Sequence, residues 1–354
     1  MHGESDDSQL KSINQEQASI KIEGPFNDSF LKDFINFIKM AFRYILHEHM
    51  QFVAGFGAAS LYVVSLFPHV WGLPRYQRIV QLYKGGIPVP LDHDTKVMGD
   101  ELLDKMNWDI TSLSNIKFFM GCGQDIFHKG STYTSRGAII GVPVSFNYKT
   151  TSDVDRMHLK LNNEGIEWES DAGHKLLESV VLSENARKFA LCRELHYSHS
   201  QHVHIKSGIV SLSALVAYFP GFLFNRMYKL RERTNLLFRL SMYSVCAGIG
   251  MLFCVSVIDR YNWHRDKRAD RKAAETSKEL CEGGAEFYSK LLQRNVAIRE
   301  LMGSAGAKVY TPYGNEIHSI WRNPHVPLTT RKDYVQDILK TKYIVTNAQI
   351  PDQE

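Results

Sequence analysis

Three long apolar runs interrupt an otherwise polar sequence and set the expected organisation of the chain. The runs cover residues 51–71, 208–225 and 239–258. Each is close to the roughly 17–25 residues that an α-helix needs to cross a hydrocarbon layer of about 30 Å, and each is too long for an ordinary strand. The pattern therefore predicts about three transmembrane helices, of which the first has the weakest signal.

The last two runs flank a short basic segment, residues 226–238, and this order is typical of a membrane hairpin. A hairpin returns the chain to the side that it left, so residues 72–207 and 259–354 share a compartment. We expect residues 72–207 to be a soluble α+β segment and residues 259–354 to be a soluble helical segment that packs with it. The predicted fold is thus an α+β membrane protein with one mixed α+β domain built on both sides of the hairpin.

Local patterns give this domain its first elements. Residues 138–146 are rich in β-branched side chains but contain a glycine and a proline, which favours an edge strand or a bulged strand. Ser183 precedes a helical pattern over residues 184–197 and is a typical N-cap. Pro312 and Gly314 suit the second and fourth positions of a turn.

The first fifty residues differ from the rest of the chain. Residues 1–29 are polar, lean acidic and contain few large apolar groups, so we expect a disordered tail. Residues 30–50 place basic side chains at helical spacing among apolar ones, which predicts a basic amphipathic helix. That helix either packs on the protein's own core or serves as an interfacial anchor or internal mitochondrial targeting helix.

Charge and cysteine content exclude some classes of function. The formal net charge is +4 and the isoelectric point is near 8.6, values that argue against nucleic-acid binding when the basic residues are as scattered as they are here. The five cysteines are far apart and form no Cys-x-x-Cys pair, which argues against a disulfide scaffold or a cysteine-based metal carrier.

The strongest candidates for metal chemistry are the histidines His196, His199, His202 and His204. Neutral imidazoles are good metal ligands, but this spacing drifts around a helix and fixes no fourth ligand. We therefore predict no metal site and no cofactor, and we interpret the histidines as a polar, membrane-proximal helix face.

Residues 193–197 invite comparison with the His-Glu-x-x-His helix of zinc peptidases, in which two histidines hold zinc and the glutamate activates water. Arg193 and Tyr197 stand at the two ligand positions here. Residues 266–270 resemble the downstream Glu-x-x-Ala-Asp element of membrane-bound metallopeptidases. Because arginine does not give up its proton to coordinate a cation, we expect no enzyme. The alternative is a membrane-bound metal-dependent peptidase, or its inactive relative acting as a binding scaffold.

Small residues recur four positions apart in the apolar runs, a spacing that permits close helix packing in lipid. The helix-packing candidates are Gly55 with Ala59, Ser244 with Gly248, and Cys246 with Gly250.

Five stretches together resemble the transmembrane protein 177 family in their order and spacing. They are residues 141–146, 182–194, 286–292, 310–315 and 328–333. The resemblance extends from the first apolar run to about Asp337. The first fifty residues depart from the family pattern, in which the first span lies near the start of the chain.

The resemblance implies a multi-pass protein of the inner mitochondrial membrane whose globular domain lies in the intermembrane space. It also implies a role in early biogenesis of cytochrome c oxidase, stabilising subunit II together with that subunit's membrane chaperone. The positive-inside rule agrees with this orientation, because it favours residues 226–238 on the matrix side.

These expectations lead to a first hypothesis of a non-enzymatic, chaperone-like assembly factor that binds its partners and the lipid bilayer but no nucleic acid. The predicted partner-binding residues form two patches, Arg193, Glu194, His196 and Tyr197, and then Tyr310, Pro312, Gly314 and Asn315. Besides the metal-dependent enzyme, a third hypothesis is a peripheral protein whose apolar runs are buried core helices.

Overall fold

The computed structural model describes residue 36 and residues 50–156, 160–161, 164–319 and 321–344. The predicted tail 1–29 and nearly all of the predicted amphipathic helix 30–50 lie outside the described residues. Gly57–Glu354 form one compact unit. Of the other unit, Met1–Phe56, the described part is mainly the beginning of a long helix.

Helices make up most of the described chain. The α-helices in chain order are α1 Met50–Val70, α2 Leu73–Val80, α3 His93–Lys105, α4 Ile110–Ser114, α5 Asp171–Val180, α6 Glu184–Ser198, α7 His202–Tyr228, α8 Leu230–Arg233, α9 Leu236–Ala274, α10 Lys278–Leu301, α11 Gly306–Val309 and α12 Leu328–Ile338. A π-helical segment, Leu339–Ile344, continues α12, and short 3-10 turns occupy Val144–Asn147 and Thr151–Asp153.

The strands are short and belong to three sheets. They are β1 Tyr83–Lys84, β2 Ile87–Pro88, β3 Ile116–Met120, β4 Phe127–Gly130, β5 Ala138–Val142, β6 Lys160–Leu161 and β7 Glu164–Gly165. Strands β1 and β2 form one antiparallel hairpin, and β6 and β7 form another. The remaining sheet has the order β3-β5-β4, with β3 parallel and β4 antiparallel to β5.

The central strand of this sheet is β5, so the prediction that residues 138–146 form an edge or bulged strand is wrong. Its register with both neighbours is continuous, and all five of its residues are buried. Pro143 follows the last residue of the strand, so its missing N–H removes no ladder hydrogen bond. Gly141 is required for packing rather than for a bulge, because a Cβ there would lie 2.3 Å from Cζ of Phe127.

The core of the soluble domain forms where helix α6 lies against the sheet and against α10. The side chains of Phe189, Leu191 and Leu195 on α6 are completely buried, as is Tyr288 on α10. The predicted start of α6 is observed, since Ser183 Oγ accepts a hydrogen bond from Ala186 N at 3.2 Å. Helix α6 is buried on nearly all sides, and this accounts for its lack of a polar stripe.

Three helices, α1, α7 and α9, are long and apolar enough to cross a membrane. Only 11–17% of the residues in their most apolar stretches are buried, although an apolar side chain in a water-soluble protein is normally covered. This finding confirms the predicted α+β membrane fold with three spanning helices.

The hairpin of α7 and α9 is joined by the predicted basic turn, where Lys229 ends α7 with a left-handed φ of 50°. Helix α9 does not stop at the end of the apolar run. It continues for 39 residues in total and carries Asp266 and Asp270 into the soluble core. Because α9 belongs to both regions, the soluble domain is built directly on the hairpin.

Candidate functional site

An open cleft of about 1260 Å³ lies in the soluble domain, next to helix α6. Its walls come from α6, α9, α10, the beginning of β4 and the chain that leads into α12. The lining includes large apolar side chains, among them Phe146, Leu182, Phe287 and Leu291, beside many charged ones. The cleft therefore combines an apolar wall with a polar floor.

Arg331, which lines this floor, forms an ion pair with Asp270 behind it. Asp270 is completely buried, and Arg331 holds both of its carboxylate oxygens, with Nε to Oδ2 and Nη2 to Oδ1 each at 2.7 Å. Tyr288 also donates to Asp270 Oδ1. Burial lowers the pKa of Arg331, but Asp270 outweighs it and raises that pKa well above the usual value, so the guanidinium stays charged.

A tyrosine connects this pair to a second buried carboxylate. The hydroxyl of Tyr197 accepts from Arg331 Nη2 at 3.0 Å and donates to Asp266 Oδ1 at 2.6 Å. The other oxygen of Asp266 accepts from Val326 N at 3.1 Å and lies 3.2 Å from His325 Nδ1. Burial raises the pKa of Tyr197 well above its ordinary value, so this hydroxyl keeps its proton.

The third carboxylate of the floor, Glu194, is shared by Arg193 and His128. Its Oε1 accepts from Arg193 Nη2 at 2.8 Å, and its Oε2 lies 2.6 Å from His128 Nδ1. Burial raises the pKa of Glu194, but these two neighbours outweigh it and lower that pKa to about 2. Arg265 Nη2 lies 3.1 Å from His128 Nε2, so this nitrogen is the acceptor and Nδ1 carries the proton that binds Glu194.

We call these eight side chains the charge network: His128, Arg193, Glu194, Tyr197, Asp266, Asp270, Tyr288 and Arg331. Each of its carboxylates has at least two hydrogen-bond donors, counting Val326 N for Asp266. Arg193 Nη1 lies 3.3 Å from the Tyr288 hydroxyl, which links the two halves of the network. In the part of the chain that the structure describes, no group of three or more His, Cys, Asp or Glu side chains is placed to hold a metal ion.

The first predicted patch is thus divided. Arg193, Glu194 and Tyr197 lie together in the charge network at the floor of the cleft, with 3–7% of their surface exposed. His196 lies on another face of α6, where its ring meets Trp108 edge to face at 5.6 Å. Burial lowers the pKa of His196 to about 3, with smaller contributions from Lys272 and His199.

The other histidines of that cluster also point in separate directions. His199 stacks on Trp108 at 4.1 Å, and His204 Nδ1 lies 2.9 Å from the Tyr62 hydroxyl on α1. His202 approaches His128 and His69, with ring centroids 5.5 and 6.3 Å away. The structure does not bring the four imidazoles together.

The second predicted patch is a turn held by its own hydrogen bonds. Gly314 N donates to Thr311 O at 3.0 Å, which is the closing bond expected of this turn. Asn295 Nδ2 donates to Gly314 O at 2.8 Å, and Asn315 exchanges two bonds with Thr329. The turn, which includes Tyr310 and Pro312, therefore fastens α10 to the start of α12.

The helix-packing candidates fall into two groups. Cys246 and Gly250 are buried within the hairpin, and a Cβ at Gly250 would lie 2.5 Å from Ala217 Cβ on α7. Ser244 and Gly248 are exposed on another face of α9. Gly55 and Ala59 are likewise exposed on α1.

Sequence reasoning did not identify His128, Tyr288 and Arg331 as members of the site. Asp266 and Asp270 could be recognised from the sequence as a pair, because a spacing of four puts both carboxylates on one helix face. Arg331 is 61 residues from Asp270, and no local pattern marks it as the partner. His128 lies 66 residues before Glu194, on a strand whose position depends on the sheet.

Comparison with known proteins supplies the family. The profile described as Transmembrane protein 177 matches residues 120–351. Transmembrane protein 177 of Homo sapiens is 30% identical over 281 residues, which cover 78% of this chain and 88% of the human protein. The proteins of that name from Danio rerio and Xenopus laevis are 27% and 29% identical and cover 81% and 80% of this chain, or 93% and 91% of their own lengths.

No solved structure matches this chain. The profile match includes all eight residues of the charge network and both helices of the hairpin, α7 and α9. On this match and on the identities to full-length relatives, the chain belongs to the transmembrane protein 177 family of membrane proteins.

Proposed function

We propose that this protein is a non-enzymatic assembly factor of the inner mitochondrial membrane, with its soluble domain in the intermembrane space. It supports early biogenesis of cytochrome c oxidase by stabilising subunit II together with that subunit's membrane chaperone. The observation that carries the proposal is the cleft, which offers a large binding surface over buried carboxylates that are paired with basic side chains or hydrogen-bond donors. Such a site is suited to holding a polypeptide segment without cutting it.

The protonation states of Arg193 and Glu194 disfavour catalysis. A general base works best when its pKa lies near the working pH, but the pKa of Glu194 is held at about 2 by its neighbours. Arg193 keeps its proton, because Tyr288 and Glu194 raise its pKa against the effect of burial. Neither residue is free to bind zinc or to activate water.

The size and lining of the cleft favour a polypeptide as its ligand. Its volume exceeds the roughly 300–1,000 Å³ that is common for small-molecule pockets. Phe127 and His128, which line it, belong to β4 at one edge of the sheet. An edge strand can pair with an added extended segment, while apolar side chains such as Leu291 receive the segment's side chains.

Site-specific photo-crosslinking in mitochondria tests this function. A photoreactive residue replaces Gln124, which is exposed at the cleft, and in a control it replaces Lys96, which is exposed elsewhere on the domain. We expect newly made subunit II to be crosslinked from position 124 and not from position 96. Absence of that product at position 124, or equal yields from both positions, would contradict the proposal.

The alternative is an active metal-dependent peptidase, favoured only by the likeness of residues 193–197 and 266–270 to zinc-peptidase elements. Metal analysis of the purified protein separates the two functions. Stoichiometric zinc that is lost in His196→Ala, His199→Ala or His202→Ala variants would support the enzyme, and a protein without bound zinc supports the assembly factor.

A further inference from the structure

We infer that the soluble domain meets the membrane at a binding site for the phosphate of an anionic phospholipid headgroup. Five side chains form this site, which we call the basic junction: His69, Lys129, His202, Lys206 and Arg265. The inference goes beyond the proposed function, because the site binds lipid rather than a polypeptide and lies outside the cleft for the most part.

The three spanning helices bring the basic junction to one level. His69 lies in the last turn of α1, and His202 is the first residue of α7, with their rings 6.3 Å apart. Gly250 on α9 faces Ser213 and Ala217 of α7. Helices α7 and α9 run in opposite directions. Arg265 lies about 20 Å beyond Gly250 along α9, which places it beside the first turn of α7.

This level is the boundary between the apolar helices and the soluble domain. Below it, α7 and α9 expose mainly apolar side chains, and above it lie the sheet and the charge network. Lys129 reaches the boundary from β4, where its ammonium lies 5.2 Å from the centre of the Tyr76 ring. Lys206 is one turn further into α7, a position from which a long side chain extends toward a lipid headgroup.

The cations of the basic junction form no direct ion pair within the described part of the chain. Lys129, Lys206 and Arg265 make none of the ion pairs observed there. The carboxylates within electrostatic range of Lys206 and Arg265 have closer partners of their own: Glu194 binds Arg193, Asp266 binds Tyr197, and Asp259 binds Asn323 N. Three cations therefore gather at one place without a carboxylate in direct contact.

Unsatisfied polar atoms point to the same conclusion. Arg265 Nε and His69 Nδ1 are buried and have no hydrogen-bond partner among the described residues. A buried donor without a partner costs on the order of 1–3 kcal/mol, so such atoms are rare unless another group completes them. Lys129, Lys206 and Arg265 all lie within electrostatic range of the His69 ring. A single anion at this place would contact several of these groups.

Phosphate is the anion that fits this set of donors. Its oxygens accept several charge-assisted hydrogen bonds at once, and a guanidinium beside two ammonium groups matches its charge and shape. The headgroup of a phospholipid places a phosphate at the boundary of the spanning helices, whereas inorganic phosphate is not concentrated there by the membrane. The structure therefore favours a lipid headgroup as the source.

Lipid retention by the full-length protein tests the inference. The purified chain is incubated in mixed micelles with either an anionic or a zwitterionic phospholipid, and bound lipid is counted by native mass spectrometry. The test variant is Lys129→Gln with Lys206→Gln. The control variant, Lys105→Gln with Lys308→Gln, removes two exposed lysines far from the basic junction in sequence.

We expect the wild-type and control proteins to retain anionic phospholipid and the test variant to bind it about 30-fold more weakly, since each of two basic residues at a membrane surface contributes about a fivefold factor. Lys129→Arg with Lys206→Arg restores binding, which separates loss of charge from loss of folding. Equal retention by the test and control variants, or equal binding of zwitterionic lipid, would overturn the inference. Protection of the protein against thermal unfolding by inorganic phosphate alone would overturn the assignment to lipid.

Discussion

At the scale of single residues, the buried carboxylate of Asp270 and its partner Arg331 determine how the floor of the cleft is built. Taking a charge out of water costs several kcal/mol, and only a well-placed opposite charge offsets that cost. Here both oxygens of the carboxylate are held at 2.7 Å by one guanidinium. Removing one partner leaves the other charged and without compensation.

The Arg331→Met variant should therefore lower the free energy of unfolding by about 3–5 kcal/mol. The double variant Arg331→Met with Asp270→Asn should show a smaller decrease in the free energy of unfolding, because no unpaired charge remains. Lys175→Met is the matched control: it breaks an exposed pair with Glu300 at 3.5 Å and should cost less than about 1 kcal/mol. Thermal unfolding in detergent, followed by tryptophan fluorescence, measures all three, and equal losses in the single and double variants would contradict this account.

His196 gives the domain a dependence on pH. In the folded protein its pKa is lowered to about 3, mainly by burial, while in the unfolded chain it is near 6.5. Below pH 6.5 the unfolded chain therefore binds a proton that the folded protein does not, and stability falls as the pH falls.

Between pH 6.5 and 5 this single residue should remove about 2 kcal/mol of stability. His196→Phe keeps an aromatic ring against Trp108 but cannot titrate, so its stability should change less over the same interval. Thermal midpoints at several pH values measure the effect. Parallel pH profiles for the wild type and the variant would show that His196 is not the responsible group.

At the scale of elements, the hairpin of α7 and α9 is held together by a close approach at Gly250. A Cβ there would lie 2.5 Å from Ala217 Cβ and 2.9 Å from Ser213 O, so a larger side chain must push the two helices apart. Gly248 is exposed, with open space beside it.

Gly250→Leu should therefore reduce the thermal stability of the membrane-extracted protein and the fraction that elutes as a monodisperse peak. Gly248→Leu should leave both unchanged, because the added side chain faces outward. If a partner helix packs on the face with Ser244 and Gly248, then Gly248→Leu should instead reduce co-purification of that partner. A stable, monodisperse Gly250→Leu protein would show that the close approach is not needed.

The elements also show what a sequence can predict and what it cannot. The cap at Ser183, the turn closed by Gly314 and the three apolar helices follow from local patterns, and each is found where it was expected. The position of β5 in its sheet was predicted wrongly, because the central strand is decided by distant pairing with β3 and β4. For the same reason the contact between Asp270 and Arg331 has no local signal.

At the scale of the whole molecule, both soluble segments meet in one domain at one end of the hairpin. Helices α6 and α5, from before the hairpin, pack against α10, from after it. The basic turn at residues 226–238 lies at the other end of α7 and α9. If α7 and α9 both cross the bilayer, this turn and the soluble domain lie on opposite sides of it.

Cysteine labelling in mitoplasts tests that separation and the proposed orientation. Glu282 on α10 and Glu232 in the basic turn are exposed, and each is replaced by cysteine in a Cys122→Ser background. A membrane-impermeant maleimide should label Glu282→Cys in intact mitoplasts and Glu232→Cys only after the membrane is opened. Labelling of both positions from the same side would rule out the hairpin as a spanning structure.

Helix α9 runs through 39 residues without a break, and Asp270 lies about 30 Å beyond Gly250 along its axis. A stiff rod of that length converts a small tilt into a large displacement: turning it by about 5° moves the far end by nearly 3 Å. That distance is as long as the bonds between Arg331 and Asp270. In the proposed function, a tilt of α9 inside the bilayer would shift Asp270 relative to Arg331, and a subunit that inserts beside α9 would thereby alter the cleft.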